Sequence, residues 1–270
     1  MKISHEVPIC LLDRSKEFND YDYLLNHLLD IHPKYKEWYL LNKDRYSILD
    51  NSAYEFFVRG EEFNEESFVN NIKELLPNEY MIPDVLMDKD ETIKWFKLWN
   101  QKYKYLPGLK IAVVQGSTFT EWLECYMFYY ENQDKFDKIG ISFHYKFLRE
   151  IGQLTSKNNE DFHYANGRAL LIDWLVENNL LMNKPYHLLG SQVGAVEFWW
   201  YRCKNYKFIE TIDTATPIKF GIVGMGSESF LDKKPNIILD DFVDKQLEPY
   251  KEELILRNIK KFKHILENGN

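Results

Sequence analysis

Two aspartates in this chain follow apolar runs at points where a carboxylate would be presented to a substrate. Asp213 ends the run 208–213, and turn-forming residues 214–217 come directly after it. Asp50 ends the run 46–50 in the same way. Taken singly, each aspartate could simply open or cap a turn. Taken together, two carboxylates can serve as nucleophile and as proton donor and acceptor in glycosyl transfer with retention.

Other apolar runs also end in polar or small residues. The runs and their flanking groups are 81–87 with Asp90, 110–116 with Gln115 and Gly116, 137–143 with Gly140 and Ser142, and 185–190 with Leu189 and Gly190. A (β/α)8 barrel builds its active site from the loops at the carboxyl ends of its strands. The pattern therefore predicts an α/β fold of the TIM-barrel class whose polar strand ends converge on one site.

The periodicity of apolar residues predicts the elements between these ends. Strands are expected at 6–12, 46–50, 81–87, 110–116, 137–143, 185–190 and 208–213, with an eighth in the glycine-containing stretch 219–230. Helices are expected at 21–42 with an interruption at Pro33, and at 63–76, 90–102, 118–130, 164–178, 192–201 and 240–267. Thr118 and Glu121 have the spacing of a capping box. One domain spanning 1–270, closed by a C-terminal helical segment, is the expectation.

Six motifs carry a resemblance to a known family. They are ILDNSAYE, PDVLMDKDET, VVQGS, KIGIS, HLLGS and ETIDTATPIK, within residues 46–219. In this order the chain resembles the tRNA-guanine transglycosylase superfamily, and it looks most like the phage DNA 7-deazaguanine transglycosylases. The resemblance implies a barrel enzyme, a pentosyltransferase that exchanges guanine in DNA for a 7-deazaguanine derivative through a covalent aspartyl–sugar intermediate.

The resemblance also implies roles for particular residues. Asp213 would be the nucleophile and Asp50 the general acid/base, while Asp90 would read the guanine edge. The remaining substrate-binding positions would be Gln115 and Gly116 at the guanine carbonyl, Tyr54 and Leu189 on the two faces of the base, and Gly140, Ser142 and Gly190. Lys219, Lys260 and Lys261 are candidates for contacts with the nucleic-acid backbone, although solvated lysines are an equally good interpretation. Asp84 and Asp88 are given only turn or surface roles.

The chain departs from the family pattern in three regions. The tRNA enzymes carry a cysteine and histidine zinc site after the nucleophile motif, whereas no cysteine follows Asp213 here. A barrel without the zinc-binding insert, with no metal and no cofactor, is therefore expected, and His144 and His187 are interpreted as packed barrel histidines. Ser52 and Ala53 stand where the family has paired glycines, Glu55 stands where glutamine is common, and Ile141 replaces a second glycine.

Charge and hydropathy limit the partners. A formal net charge of −8 opposes nucleic-acid binding overall, but basic residues cluster near the C-terminus and at 94–110. Expected partners are DNA and a free 7-deazaguanine base, with no membrane partner because no apolar run is long enough to span a bilayer. The protein could form a homodimer. The expected compartment is the cytoplasm, which would be the host cytoplasm if a phage encodes the protein. The alternatives are exchange on tRNA or another RNA, a noncatalytic nucleic-acid-binding subunit, and a barrel hydrolase of an unrelated glycoside.

Overall fold

Eight parallel strands form the central sheet of the protein. The structure is a computed structural model that describes residues 1–153, 160–191, 195–230, 232 and 234–268. The strands are β1 Lys2–His5, β2 Asp22–Leu25, β3 Ser47–Asp50, β4 Glu79–Met81, β5 Leu109–Val113, β6 Lys138–Ser142, β7 Tyr186–Leu189 and β8 Ile209–Thr214. Their order in the sheet is β1-β8-β7-β6-β5-β4-β3-β2.

Helices connect successive strands. They are α1 Leu12–Ser15, α2 Asn26–Ile31, α3 Pro33–Leu41, α4 Ala53–Arg59, α5 Glu65–Leu75, α6 Lys89–Lys102, α7 Phe119–Glu131, α8 Lys146–Gln153, α9 Glu160–Glu177, α10 Val196–Cys203, α11 Thr216–Ile222 and α12 Pro249–Asn268. Short 3₁₀ turns lie at Ile9–Leu11, Gln133–Lys135, Ser227–Ser229 and Leu239–Phe242. The alternation of parallel strands and helices confirms the predicted α/β fold of the (β/α)8 TIM-barrel class.

The chain divides into two compact units. The first comprises Met1–Asp20, Phe143–Leu181 and Leu188–Asn270, and the second comprises Tyr21–Ser142 and Met182–His187. The prediction of one domain over residues 1–270 stays a prediction.

Aromatic rings form much of the core of the second unit. Phe68 on α5 lies 5.6 Å from Trp99 on α6, and Phe96 on α6 lies 5.0 Å from Tyr129 on α7, measured between ring centroids. All four rings are buried. Because large buried rings contribute the most apolar area per residue, these contacts pack α5 against α6 and α6 against α7.

Side chains mark the beginnings of two helices that follow strands of the second unit. The Asp88 carboxylate accepts from the Glu91 N–H at the start of α6. Thr118 Oγ1 accepts from the Glu121 N–H at 3.2 Å, and the Glu121 carboxylate accepts from the Ser117 N–H at 2.9 Å. The predicted helix start at Thr118 is thereby confirmed.

The structure corrects the predicted elements at both ends of the chain. The first strand is Lys2–His5, whereas helical turns occupy most of the predicted strand 6–12. The predicted helix 21–42 begins instead with β2, in which all four residues are buried. The predicted eighth strand at 219–230 is wrong because α11 starts at Thr216, where Pro217 has the backbone angle that favours a first helical turn. Eight strands are thus present, but β2 takes the place of the predicted last one.

Hydropathy gives one further observation. Within the described part of the chain, no helix is both long and apolar enough to cross a bilayer.

Candidate functional site

Asp213 is a buried carboxylate at the carboxyl end of β8. Its exposed fraction is 3%, and the residue pairs with Ser4 of β1 in the sheet. The backbone N–H of Gly190 lies 3.2 Å from each carboxylate oxygen of Asp213. A buried carboxylate needs donors to offset its lost hydration, and this amide supplies one directly.

Gly190 can make this contact because it is a glycine. Its φ angle is +64°, in the left-handed region that other residues adopt at a cost. A Cβ at this position would lie 2.3 Å from Cε1 of the Phe143 ring. Any larger residue would therefore move either the ring or the peptide that faces Asp213.

Arg168 on α9 binds the same segment from inside the first unit. Its guanidinium donates to the carbonyl oxygens of Leu189 at 2.9 Å and Gly190 at 2.8 Å. It also forms a bidentate pair with Glu197 on α10, at 2.6 and 2.9 Å. Neither Arg168 nor Glu197 was identified from the sequence. The one available signal was a lone arginine preceding the apolar stretch 169–172 of a helix.

Hydroxyl groups hold the turn that follows Asp213. Ser191 Oγ lies 2.9 Å from Thr214 Oγ1 and 3.1 Å from Thr216 Oγ1. The Thr216 N–H donates to Thr214 Oγ1, and Lys234 Nζ donates to the Ser191 carbonyl at 2.6 Å. The turn chemistry expected at 214–217 is confirmed, and it fixes the exit from β8 immediately after the acid.

Asp50 occupies the carboxyl end of β3 and is bound by two donors. The Tyr23 hydroxyl donates to Oδ2 and the Ser52 N–H donates to Oδ1. Burial raises the pKa of the Asp50 carboxyl, while these two hydrogen bonds and the nearby His187 and His27 act in the opposite direction. Asp50 is therefore a carboxyl group whose pKa lies above the ordinary value even though donors surround it.

Tyr23 and His187 form a stacked pair beside Asp50 in the second unit. Their ring centroids are 5.6 Å apart and their planes are nearly parallel. Both side chains are buried. The stacking restricts rotation of the Tyr23 ring, so that its hydroxyl stays directed at the carboxylate.

Ser52 follows Asp50 and Asn51 in a backbone conformation that favours glycine. Its φ angle is +63°, a left-handed conformation that glycine adopts without strain. Its hydroxyl accepts from the backbone N–H of His27 at 3.2 Å and lies 2.9 Å from His27 Nδ1. These contacts with His27 hold the serine in a conformation that it would otherwise disfavour.

Asp84 and Gln115 form a second polar cluster in the second unit. Gln115 Nε2 donates to Asp84 Oδ2 at 2.6 Å, and Asn51 Nδ2 donates to Asp84 Oδ1 at 2.7 Å. Burial raises the pKa of the Asp84 carboxyl to about 7, against the effect of the Asn51 and Gln115 donors, and the charge of Asp50 raises it further. The cluster thus contains a carboxyl group that titrates near neutral pH.

Asp90 lies outside this cluster, contrary to the arrangement expected from the sequence. It is in the first turn of α6, its side chain is 86% exposed, and its carboxylate lies 3.4 Å from Lys89 Nζ. The acid that contacts Gln115 is Asp84, for which the sequence indicates only a turn or surface role. The reason is the early end of β4 at Met81, which puts Asp84 three residues beyond the strand and leaves Asp90 within a helix.

The other predicted base-binding residues occupy varied environments. Tyr54 is 44% exposed on α4, and Leu189 ends β7 half-buried. Gly140 and Ser142 lie in β6, where every residue is buried. Gly116 is buried against α7, since a Cβ there would lie 2.3 Å from the backbone nitrogen of Trp122. Close packing therefore requires a glycine at this position, and the predicted contact of Gly116 with a base stays a prediction.

The three candidate lysines for the nucleic-acid backbone lie on the last two helices. Lys219 is half-buried on α11, whereas Lys260 and Lys261 are exposed on α12. Exposure leaves the last two accessible to a phosphate, but it is equally the environment of a solvated lysine.

Potential metal ligands are dispersed. Among the residues that the structure describes, no group of three or more His, Cys, Asp or Glu side chains could hold a metal ion. Cys10, Cys125 and Cys203 are free thiols. His187 stacks on Tyr23, and the His144 ring is stacked on Tyr164 with 5.8 Å between centroids.

Comparison with known proteins gives no assignment. No protein-family model matches the chain, and no curated protein matches it significantly by sequence.

Each unit offers a distinct chemical capability. Asp213 in the first unit is a carboxylate with a fixed backbone donor, suited to attack on carbon. In the second unit, Asp50 can exchange a proton, and Asp84 with Gln115 can hydrogen-bond a heterocyclic edge. The sequence predicts that Asp50 and Asp213 act on one substrate, and this stays a prediction.

Proposed function

We propose that this protein is a base-exchange glycosyltransferase that replaces guanine in DNA with a 7-deazaguanine derivative. In the first step the Asp213 carboxylate attacks C1′ of the nucleotide, and the bond from C1′ to the guanine nitrogen breaks. Guanine leaves with a proton from Asp50. In the second step Asp50 removes a proton from the incoming 7-deazaguanine, whose nitrogen displaces Asp213 and restores a glycosidic bond.

The observation that carries the proposal is the position of the two acids in the fold. Asp213 lies at the carboxyl end of β8 and Asp50 at the carboxyl end of β3. In (β/α)8 enzymes the catalytic groups come from the carboxyl ends of several different strands. Retaining glycosyl transfer needs a carboxylate nucleophile and a second carboxyl group for proton transfer, and these two acids match those requirements.

The environment of Asp50 supports its role in proton transfer. A general acid/base works best when its pKa is near the working pH, and burial raises the pKa of Asp50 toward that range. The hydrogen bond from Tyr23 limits the rise. Asp50 can therefore hold a proton for the leaving guanine and release it when the next base arrives.

Asp84 replaces Asp90 in the proposed recognition of the base. Guanine and 7-deazaguanine share an N1–H and an exocyclic amine, and a carboxylate can accept from both. Asp84 is held by Gln115, whose amide would address the carbonyl side of the same ring. Tyr54, with its exposed aromatic face, is suited to stack on a base that has left the duplex.

The preference for DNA rests on the resemblance to the phage enzymes and on the lack of cysteine after Asp213. A target nucleotide in duplex DNA would have to flip out, at a cost of about a few kcal/mol. Lys219, Lys260 and Lys261 are proposed to contact the flanking phosphates.

The test is incubation of the protein with DNA or RNA and a panel of deazapurines, followed by mass analysis of the nucleosides. Appearance of the deazaguanine nucleoside in DNA is the expected result. Incorporation into RNA alone would show that the substrate is RNA and not DNA. Release of more than one equivalent of guanine per protein molecule in the absence of an incoming base would instead indicate a hydrolase.

A second measurement separates an enzyme from a silent binding subunit. The covalent mechanism predicts a protein–DNA adduct that survives denaturation when no incoming base is supplied. Asp213→Asn should abolish the adduct, while Asp90→Asn, on the exposed surface of α6, should retain it. Wild-type protein that binds DNA and never forms the adduct would contradict the proposal.

A further inference from the structure

The guanidinium of Arg168 is enclosed by acceptors within the first unit. Nε and Nη2 donate to the two oxygens of Glu197, Nη1 donates to the Leu189 carbonyl, and Nη2 also donates to the Gly190 carbonyl. The side chains of Arg168 and Glu197 are 0% exposed. Every nitrogen of this guanidinium therefore has a partner, and one side of the group is directed at the end of β7.

A buried ion pair needs an explanation beyond stability. Desolvation of two charges offsets most of their attraction, and apolar residues of similar volume often stabilise a core equally well. Glu197 is further bound by the Tyr201 hydroxyl at 2.7 Å. This arrangement fixes the orientation of Arg168, and what Arg168 then contacts is the backbone next to Asp213.

One peptide group connects Arg168 to Asp213. The Leu189 carbonyl and the Gly190 N–H belong to the same peptide unit. Arg168 donates to the oxygen of that unit at 2.9 Å, and its N–H lies 3.2 Å from both oxygens of Asp213. A cationic donor on a peptide oxygen polarises the amide and makes its N–H a stronger donor, because hydrogen bonds in a chain reinforce one another.

We propose that Arg168 is a positioning residue for Asp213 and that it acts through the Leu189–Gly190 peptide. Nη1 holds the carbonyl oxygen of this peptide and Nη2 holds the carbonyl oxygen of the next one. The positive charge strengthens the hydrogen bond that the Gly190 N–H makes to the carboxylate. Asp213 is thereby held in one orientation for attack at C1′. The catalytic consequence rests on the proposed base exchange, but the coupling between Arg168, the peptide and Asp213 does not.

The direct readout is the amide signal of Gly190. The chain has 12 glycines, so a protein labelled with ¹⁵N-glycine gives a sparse spectrum, and Gly190→Ala identifies the missing peak. In Arg168→Met the Gly190 amide proton should move upfield and exchange faster with solvent. Arg168→Lys, which keeps the charge but can reach fewer acceptors, should give an intermediate shift.

Lys138→Met is the matched control. Lys138 and Glu79 form the other fully buried ion pair among the described residues, at 2.6 Å with side chains 3% and 1% exposed. Glu79 retains the Tyr46 hydroxyl as a donor, as Glu197 retains that of Tyr201. Both methionine variants therefore leave a buried glutamate that has lost its cation and kept one tyrosine hydroxyl as a donor. Only Arg168→Met should change the Gly190 signal.

Catalysis provides the second readout. A nucleophile held slightly out of place costs about 100-fold in rate. Adduct formation by folded Arg168→Met should slow by about this factor, with little change in KM for the free base, while Lys138→Met keeps the wild-type rate. If Arg168→Met does not fold, Arg168→Lys and the same two readouts decide the question.

An unchanged Gly190 signal in a folded Arg168 variant would overturn the inference. So would an equal loss of rate in both methionine variants, since that would make the role of Arg168 purely structural. If the Gly190 signal shifts but wild-type protein forms no adduct with DNA, the coupling stands and the proposed base exchange fails.

Discussion

The Gln115 side-chain amide donates to the Asp84 carboxylate across 2.6 Å. This contact joins a residue after β5 to a residue after β4, and Asn51 adds a donor from the end of β3. Three successive strand ends of the second unit thus contribute to one polar cluster. Asp84 lies at the centre of this cluster and accepts from both side-chain amides.

Asp84→Asn should weaken recognition of the incoming base. The asparagine would present one amide nitrogen toward a neighbouring donor and would lose an acceptor for the ring edge, at a cost of about 1–3 kcal/mol. We expect KM for the free base to rise by about 5-fold to 150-fold, as that range of energy implies. Asp90→Asn, a matched change on the exposed first turn of α6, should leave KM nearly unchanged. A larger effect at Asp90 would restore the role that the sequence predicts for it.

Asp84 should also make stability depend on pH. Its pKa in the folded protein is about 7, above the unfolded value of 3.8, so the folded state binds more protons between these limits. The stability that the proton confers is complete below pH 3.8 and is lost as pH rises toward 7, by at most about 1.4 kcal/mol per pH unit. Urea unfolding at pH 5 and pH 8 should show wild type losing stability relative to Asp84→Asn. An equal change in both proteins would contradict the assignment.

The sequence predicted the parts of this arrangement that depend on local pattern. Apolar runs that end in acids identified β3 and β8 with Asp50 and Asp213, because a buried strand and a following turn leave a strong local signature. The capping pair Thr118 and Glu121 likewise located α7.

Other parts depend on contacts between distant residues. β2 was missed because residues 22–25 are buried on both faces, so no alternation distinguishes them from a helix. The sequence did not predict a site role for Asp84 because pairing with β5 determines where β4 ends. The contacts of Arg168 could not be predicted from its local sequence, since its partners lie 21 to 29 residues away.

Tyr23→Phe should raise the pKa of Asp50 further. The tyrosine hydroxyl stabilises the charged form of Asp50 and so lowers its pKa. Without this hydroxyl, the rise in pKa that burial causes is less strongly opposed. Titration of ¹³C-labelled aspartate carboxyl groups, with Asp50→Asn for assignment, should show the Asp50 midpoint at higher pH. The rising limb of the pH–rate profile should move in the same direction, since the second step needs the deprotonated acid.

Tyr46→Phe is the control for this experiment. Tyr46 makes the same type of hydroxyl–carboxylate contact with Glu79, at the amino end of β4. Its loss should leave the Asp50 midpoint in place. A midpoint that is unmoved or lower in Tyr23→Phe would mean that the hydroxyl does not stabilise the Asp50 carboxylate.

Gly190→Ala should cost more stability than Gly60→Ala. The two glycines have φ angles of +64° and +65°, so the backbone strain of an alanine is nearly equal at both, about 1–2 kcal/mol. At Gly60 a Cβ meets nothing within 4 Å, whereas at Gly190 it lies 2.3 Å from the Phe143 ring. Urea unfolding should therefore show an additional loss at Gly190 of about 1–3 kcal/mol.

A second substitution should reduce the additional loss of stability that Gly190→Ala causes. Phe143→Leu removes the ring that the new Cβ would meet, so the double variant should lose less than the sum of the two single variants. Full additivity would mean that the overlap with the ring is absent and that the loss comes from the backbone alone.

Lys260→Glu with Lys261→Glu should weaken DNA binding if α12 contacts the backbone. Each lost phosphate contact lowers the slope of log affinity against log salt by about 0.9 on duplex DNA and about 0.7 on a single strand. Lys94→Glu with Lys97→Glu on α6 changes the net charge by the same amount and is the control, because Lys94 is already paired with Glu91 at 2.9 Å. A general effect of charge would weaken both double variants and leave both salt slopes near that of wild type. A reduced slope in the α12 variant alone would assign Lys260 and Lys261 to the phosphates, since only released counterions change the slope.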